Sequence, residues 1–474
     1  MLNSKSLFGA AKAALISVFT LSALSLVLLI YANNRLEVVV APLPDSQAAI
    51  VRSLYQQSSG TNKQDSSLYP LLKQSRWIGP EPTLIPSRKA LAQDVHARSA
   101  ILISADTGEI LFEKNADISI PPASMTKLVA MYTALKAVES GEIQLDQEIT
   151  PPEESWAQNI PAGSSLMFLG PDQKVTIREL LEGMAVVSGN DAAIALAMTL
   201  CGSVDSFVER MNRETAALGL HSTSFVEPSG LSEYNRTTSR EFAAFSRLYI
   251  NRYPQTLSAF HSRRELVYPM PHNTKAPTEV QGIRQSATNK LLESLDGCDG
   301  LKTGFIYESG FNLALTCMRN GQRFIAVFMG GPGSNSREGN RFRVQDGSSV
   351  MEWAFSNWRH TTLEYPDTIP IPVWGGSEDG LHVLRVFDTP ALIPVLADGI
   401  PTDGNTLVPH LKVPPYLEAP VIAGTIIGTI DWEMNGKVVL QEDVIADRTI
   451  TVGSAGERCI DFLALQAVRL ISVR

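Results

Sequence analysis

Three short stretches of this 474-residue chain carry side chains whose types and spacing suit nucleophilic chemistry. In the first, Ser124-Met125-Thr126-Lys127, a hydroxyl and an amine stand three residues apart, where Pro121-Pro122 ends an extended segment and an apolar helix begins. Positions i and i+3 share a helix face, so the Lys127 amine can lie beside the Ser124 hydroxyl and take its proton once burial lowers the amine's pKa. The helix N-terminus adds a positive dipole near the developing charge. The second stretch, Ser188-Gly189-Asn190, falls in the break between two apolar helices, where its side chains can project into a cleft. The third, Lys302-Thr303-Gly304, lies in a predicted strand and offers a cation and a hydroxyl to a substrate carboxylate, while its glycine lets another backbone approach closely.

Taken singly, each stretch has an ordinary reading. One Ser-x-x-Lys is expected about once by chance in this composition, and Ser124 can be a plain helix N-cap. Ser-Gly-Asn-Asp is common helix punctuation. A lysine on an edge strand followed by a glycine bulge discourages aggregation, although the Lys-Thr-Gly triplet is expected only about 0.06 times by chance.

The elements that must position these groups follow from hydrophobic period. Ser99 to Ser104 reads as a strand, Asp106-Thr107-Gly108 as its turn and Ile110 to Glu113 as the returning strand. Met125 to Ala137 is helical. The segment 177 to 187 is helical behind a capping box of Thr176 and Glu179, and further helices run from Ala192 to Leu200 and from Val204 to about Leu218. After a loop-rich stretch from 221 to 295, three antiparallel strands are predicted over Gly300–Ile306, Phe311–Met318 and Arg323–Met329, with Asn320-Gly321 as a hairpin turn, and a helix over 346–358. Strands at both ends with helices between imply one antiparallel sheet packed by helices, an α+β body over 96–365. From Ile369 to Val452 the texture changes to short Val, Ile and Thr strands divided by Gly and Pro, a small all-β domain over 366–455.

At the N-terminus, Ala13 to Ala32 holds no charge and follows Lys5 and Lys12, an export signal that is either an uncleaved anchor within 1–32 or a cleaved signal peptide. Residues 33–95 read as a linker, with a small folded unit around Tyr69 to Ile78 as the alternative. The tail, 456–474, places Ile460, Leu463, Ala464, Ala467, Val468 and Ile471 at helical spacing, for a membrane surface or for its own domain. Apolar residues make up 44% and charged residues 19%, too few charges for a disordered or coiled-coil chain. With a net charge of −9 and no basic block, nucleic-acid binding is excluded as a role. Cys201, Cys298, Cys317 and Cys459 are read as free or core thiols, and no spacing suggests a metal or a cofactor.

The order of the three stretches along the chain resembles that of the penicillin-recognising serine enzymes. Residues 97 to 365 are similar to the low-molecular-weight D-alanyl-D-alanine carboxypeptidases, peptidase family S11. The likeness rests on Pro-Pro-Ala-Ser-Met-Thr-Lys, on Leu181 to Ala193 around Ser-Gly-Asn-Asp, and on Phe207 to Asn212. It continues through Leu218-Gly219-Leu220 with Pro228-Ser229-Gly230-Leu231, Gly300 to Asn312, and Leu417-Glu418-Ala419-Pro420, Gly424 and Gly428 in the β domain.

The resemblance implies a β-lactamase/transpeptidase-like catalytic domain that removes the terminal D-Ala from peptidoglycan stem peptides. Ser124 would be acylated with Lys127 as base, Ser188 would pass a proton to the leaving amine, and Asn190 would hold the substrate amide. Lys302, Thr303 and Gly304 would bind the terminal carboxylate, with the backbone N–H groups of Ser124 and Phe305 as oxyanion hole. Arg343, rather than the nearby Arg341, is matched to a further carboxylate-binding arginine. The implied partners are the stem peptide, β-lactam antibiotics as covalent inhibitors and the outer face of the cytoplasmic membrane. The 60-residue linker and Phe305, where some relatives carry His, depart from the family pattern. A DD-endopeptidase, a class A-like β-lactamase and a non-catalytic wall-binding protein are the alternatives; no Glu-x-x-Leu-Asn follows Ser188, which a class A enzyme would need.

Overall fold

The computed structural model of the chain describes residues 23–34, 40–59, 71–74, 76, 95–275, 277, 281–386, 391–394, 407–434 and 436–472. Its first sheet joins β1 (Lys73–Gln74), β2 (Ser99–Ser104), β3 (Glu109–Lys114), β4 (Cys298–Ile306), β5 (Gly310–Arg319) and β6 (Gln322–Gly331) in the order β1-β3-β2-β6-β5-β4. Both chain ends of the body feed one sheet, antiparallel except for the parallel β1–β3 pair. β2 is buried along all six residues, and its alternation sorts them between two cores. Ile101 and Ile103 face one cluster, Ala100 and Leu102 the other. In β6, Ile325, Val327 and Met329 join the first cluster and Phe324, Ala326 and Phe328 the second. A strand covered on both faces is apolar at every position, which is why no polar alternation marks it in the sequence.

The first face is covered by helices α3 (Thr126–Glu139), α4 (Ile177–Val186), α5 (Asn190–Cys201), α6 (Val204–Ala217) and α7 (Ser239–Arg252), preceded in the chain by α1 (Ala23–Asn34) and α2 (Asp45–Ser59). α3 is the central one and is buried on nearly every side. α4 begins at the expected capping box: Glu179 N donates to Thr176 Oγ1 at 3.2 Å and Thr176 N donates back to Glu179 Oε2 at 2.8 Å. The second face is covered by α8 (Ser336–Asn357), which runs ten residues further toward the N-terminus than the predicted 346–358 helix. Gly339 and Gly347 weaken its sequence signal, but Asn335 caps it by accepting from Glu338 N. α7 lies in the stretch expected to be loop. Phe242, Phe245 and Tyr249 hold a helical stripe behind the Thr238 cap and are buried against Tyr132 and Tyr253.

The all-β region forms a second six-stranded sheet from β7 (Thr368–Trp374), β8 (Gly380–Arg385), β9 (Val408–Lys412), β10 (Leu417–Glu418), β11 (Ile426–Met434) and β12 (Lys437–Ala446), in the order β9-β11-β12-β8-β7-β10. Ile371, Val373, Leu381, Ile430, Trp432 and Leu440 form its core.

The stretch read as a linker carries ordered elements where it is described. α2 sets Ala48 and Val51 against Leu384, Val386 and Ile445 of the β domain, and Arg52 Nε donates to Arg385 O at 2.8 Å. Leu72 enters the helical core, β1 extends the first sheet, and buried Arg76 reaches Glu109 of β3 at 3.3 Å and Glu442 of β12 at 3.7 Å. The tail forms α9 (Ala455–Ser472), with Ala464 and Leu465 buried against Trp374 and Ala32, while Tyr31 Oη donates to Asp461 Oδ1 at 2.7 Å. Residues 1–22, 60–70 and 77–94, with half of the charge-free run and half of the Tyr69–Ile78 unit, lie outside the described residues. Among the described residues no single helix is long and apolar enough to cross a membrane.

Candidate active site

Ser124 sits in a single 3-10 turn, Ala123–Met125, immediately ahead of α3. Its hydroxyl does not cap that helix: the N-cap position is Met125, and no side chain closes it. The ordinary N-cap reading of Ser124 therefore fails. The turn is held in an unusual backbone state, with Ala123 at φ +51°, a left-handed conformation that alanine rarely adopts. Two glycines allow it. A Cβ on Gly230 would lie 1.9 Å from Ala123 O, and one on Gly304 would lie 2.6 Å from Pro122 O and 3.1 Å from Ser124 N. The turn is thus wedged between the loop at 230 and strand β4, and only glycine fits at either contact.

Lys127 is wholly buried, and its Nζ lies 3.1 Å from Ser124 Oγ, 2.7 Å from Asn190 Oδ1 and 2.5 Å from Ser229 O. Burial lowers its pKa from 10.5 to about 7, and the charges of Glu227 and Asp191 oppose that shift only in part. A neutral amine has two N–H groups and one lone pair. Here two carbonyl oxygens accept the two N–H groups, which leaves the lone pair for the Ser124 O–H. Such an arrangement suits a general base beside a nucleophile.

Ser188 is 3% exposed and has φ +62°, so the break between α4 and α5 is a strained corner rather than a relaxed cap. Asn190 is the first residue of α5, and its side chain turns inward to Lys127. Lys302 and Thr303 are both buried on β4, with Lys302 Nζ donating to Thr303 O at 3.0 Å and Thr303 Oγ1 donating to Thr288 Oγ1 at 2.8 Å. Burial holds Lys302 well below its ordinary pKa, helped by the neighbouring cations Lys127 and Arg343. Arg343, on α8, donates Nη2 to Gly304 O and Nη1 to Asn340 Oδ1 at 2.8 Å, and its guanidinium lies 4.9 Å from the Phe311 ring centre. Arg341 is instead largely exposed and pairs with Glu338 on its own helix. Phe305 is 37% exposed and stacks on Phe311.

The site therefore brings together three basic side chains, Lys127, Lys302 and Arg343, in a protein of net charge −9. Their partners are carbonyl, amide and hydroxyl oxygens, and among the described residues none of the three forms an ion pair with a carboxylate. Such a cluster suits an incoming anion.

Two carboxylates support it from behind, and sequence reasoning gave neither a role. Glu227 accepts from Ser229 N at 2.7 Å, Ser229 Oγ at 2.6 Å, Gly230 N at 2.6 Å and Asn235 Nδ2 at 2.9 Å, which fixes the Ser229 carbonyl over Lys127. Asp191 accepts from the backbone N–H groups of Met167, Phe168, Leu169 and Ala192, pinning the 167–169 loop to the start of α5. Burial raises its pKa despite those bonds. The Glu-Pro-Ser-Gly run lies in the stretch read as loop-rich, and its contact with Lys127 depends on a pairing across 102 residues.

A family model described as D-alanyl-D-alanine carboxypeptidase matches residues 86–333. The chain is 30% identical over 402 residues to the D-alanyl-D-alanine carboxypeptidase DacC of Escherichia coli (strain K12), spanning 81% of this chain and 92% of that protein. It is 30% identical over 352 residues to DacF of Bacillus subtilis (strain 168), a protein of the same description, spanning 74% of this chain and 85% of that one. Its fold matches penicillin binding protein 5 from Haemophilus influenzae with a TM-score of 0.63 at 26% identity, covering 75% of this chain and 98% of that one.

Proposed function

Because the chain belongs to the D-alanyl-D-alanine carboxypeptidase family, peptidase S11, we propose that its buried Ser-Lys site works as that of a serine DD-carboxypeptidase, with the roles that follow. The substrate is a peptidoglycan stem pentapeptide. Lys127, as the neutral amine, takes the Ser124 proton while Oγ attacks the carbonyl carbon of the penultimate D-Ala. The tetrahedral oxyanion is met by the backbone N–H groups of Ser124 and Phe305, preorganised donors of a kind worth about 3 kcal/mol in acyl transfer. As the C–N bond breaks, the proton passes through Ser188 to the leaving D-Ala amine. Water, deprotonated by the same base, then hydrolyses the ester and frees Ser124.

Specificity for a C-terminal D-Ala is carried by charge. Lys302, Thr303 and Arg343 bind the terminal carboxylate, Gly304 allows the peptide and the Ser124 turn to lie close to β4, and Asn190 holds the substrate amide. A β-lactam offers the same carboxylate and a strained amide, so it acylates Ser124 in the substrate's place. The nearest carboxylates, Glu227 and Asp191, are saturated by backbone donors and are not free to activate a water. The penicilloyl ester is accordingly long-lived.

The observation that carries this reading is the Lys127 amine, buried, close to neutrality and 3.1 Å from Ser124 Oγ. Residues 96–365 act as the catalytic unit and 366–455 as the accessory β domain. Exposed Leu24, Leu26, Val27 and Ile30 on α1, with Ile460, Phe462 and Leu463 on α9, fit attachment at the outer face of the cytoplasmic membrane, where peptidoglycan lies. The test is mass spectrometry of the protein incubated with a pentapeptide stem and, separately, with benzylpenicillin. The expected results are loss of one D-Ala and a slowly decaying adduct on the Ser124 peptide, both absent in Ser124→Ala. Labelling that persists in Ser124→Ala overturns the assignment, and rapid loss of the adduct favours a β-lactamase.

A further inference from the structure

Cys298 and Cys317 face each other directly across the antiparallel pair β4 and β5. Opposed residues in such a pair project to one face with Cα atoms about 4.5–5.5 Å apart, inside the range of about 4.4–6.8 Å that a disulfide spans. The two thiols are close enough for each to influence the other's titration. Cys298 Sγ also lies 4.0 Å from Asn289 Nδ2 and 3.8 Å from Gly300 O. Cys298 is half-buried and Cys317 fully buried. The register slips by one residue between Cys298 and Gly300, which gives the Cys298 end of β4 room to adjust. Cys201, on α5, and Cys459, exposed on α9, belong to other elements.

We propose that Cys298 and Cys317 are a disulfide-forming pair whose oxidation by an external disulfide ties β4 to β5 and closes the loop that holds Lys302, Thr303 and Gly304. Cys298, half-buried where Cys317 is fully buried, is the thiol that an external disulfide can reach, so Cys298 supplies the thiolate. That thiolate attacks one sulfur of the external disulfide, forming a mixed disulfide and releasing one external thiolate. Cys317 then gives up its proton, attacks the Cys298 sulfur and expels the second external thiolate. Two protein thiols and one external disulfide become one protein disulfide and two external thiols. The presence of such an oxidant in the protein's compartment rests on the exported location proposed above. The chemistry of the pair does not.

The cross-link starts four residues before Lys302, so it fixes the base of the strand that carries the carboxylate-binding groups. In oxidised protein the position of Lys302 relative to Ser124 is set covalently from the β5 side as well as by the contact of Gly304 with the Ser124 turn.

The experiment uses the full chain, reduced, desalted and equilibrated with glutathione disulfide at rising ratios to glutathione. Expected are an intact mass lower by two hydrogens, a Cys298–Cys317 linked peptide on non-reducing digestion, and a melting temperature higher by about 5 °C than that of the reduced protein. Cys298→Ser and Cys317→Ser should each lose the shift, whereas Cys201→Ser should keep it. The proposal is overturned if both cysteines remain alkylatable under the most oxidising ratio, or if a glutathione adduct persists on Cys298 with Cys317 free. Wild-type mapping decides the matter even if a variant fails to fold. Benzylpenicillin labelling, run on both redox forms, reads the enzymatic assignment separately: absent labelling with an intact disulfide would sink that assignment and leave this one standing.

Discussion

Raising the pH from about 5 to about 8 should speed acylation of Ser124 by about a hundredfold, because the base must be a neutral amine. Lys127 is fully buried, and that burial brings its pKa from 10.5 to about 7. For a single titrating group this leaves about 1% of the amine neutral at pH 5, about half at pH 7 and about 90% at pH 8. A bound carboxylate favours the charged form of Lys302, so at saturating substrate the rising limb belongs to Lys127. The same burial couples stability to pH. Between about pH 7 and 10.5 the unfolded chain holds a proton on Lys127 that the folded chain has released, so stability rises with pH across that window and the full cost is present below it. The gap between 10.5 and about 7 corresponds to about 5 kcal/mol. Lys127→Met removes that cost but leaves Asn190 Oδ1 and Ser229 O without their donor, a loss of about 2 kcal/mol. At about pH 6 the variant should therefore melt about 5 °C higher than the wild type while losing acylation. The assay is the rate of formation of a fluorescent penicillin adduct across the pH range, with thermal unfolding of both proteins at each end. A rate independent of pH, or a Lys127→Met variant that is less stable than the wild type at low pH, would refute the reasoning.

Gly304→Ala places a methyl 2.6 Å from Pro122 O, a fixed backbone atom, so β4 must retreat from the Ser124 turn by several tenths of an ångström. Acylation should fall about a hundredfold with unfolding temperature lowered by only a few degrees, as read by adduct kinetics and calorimetry. Arg76→Met leaves Glu109 buried without its guanidinium and removes the link to Glu442, so the melting temperature should drop by roughly 5–10 °C in a thermal scan. An unchanged transition would mean that the strap from β1 contributes nothing to holding the two sheets together.

The sequence by itself determined what local chemistry determines. Hydrophobic period located β2, β3, α3, α4, α6 and the three strands β4, β5 and β6, and turn chemistry located the Asn320-Gly321 hairpin, where both residues have positive φ. The types and order of Ser124, Lys127, Ser188, Asn190, Lys302 and Thr303 were legible because each short stretch is contiguous. α7 was legible in principle through Phe242, Phe245 and Tyr249, but the Gly, Pro and Ser around it masked the stripe. The extra turns of α8 were hidden by Gly339, whose helical state is held by packing against Phe311.

Only the tertiary structure decided the rest, because it depends on contacts between residues far apart in the chain. The pKa of Lys127 is a property of its burial, which no neighbour in sequence supplies. That Arg343 is tied to Gly304 while Arg341 faces solvent is likewise set by tertiary packing. The left-handed state of Ala123 exists because Gly230 and Gly304 make room for it from two other elements. Likewise the order in α2, β1 and Arg76 comes from contacts with the two sheets, so a segment whose own composition resembles a linker is held by surfaces formed by residues far along the chain.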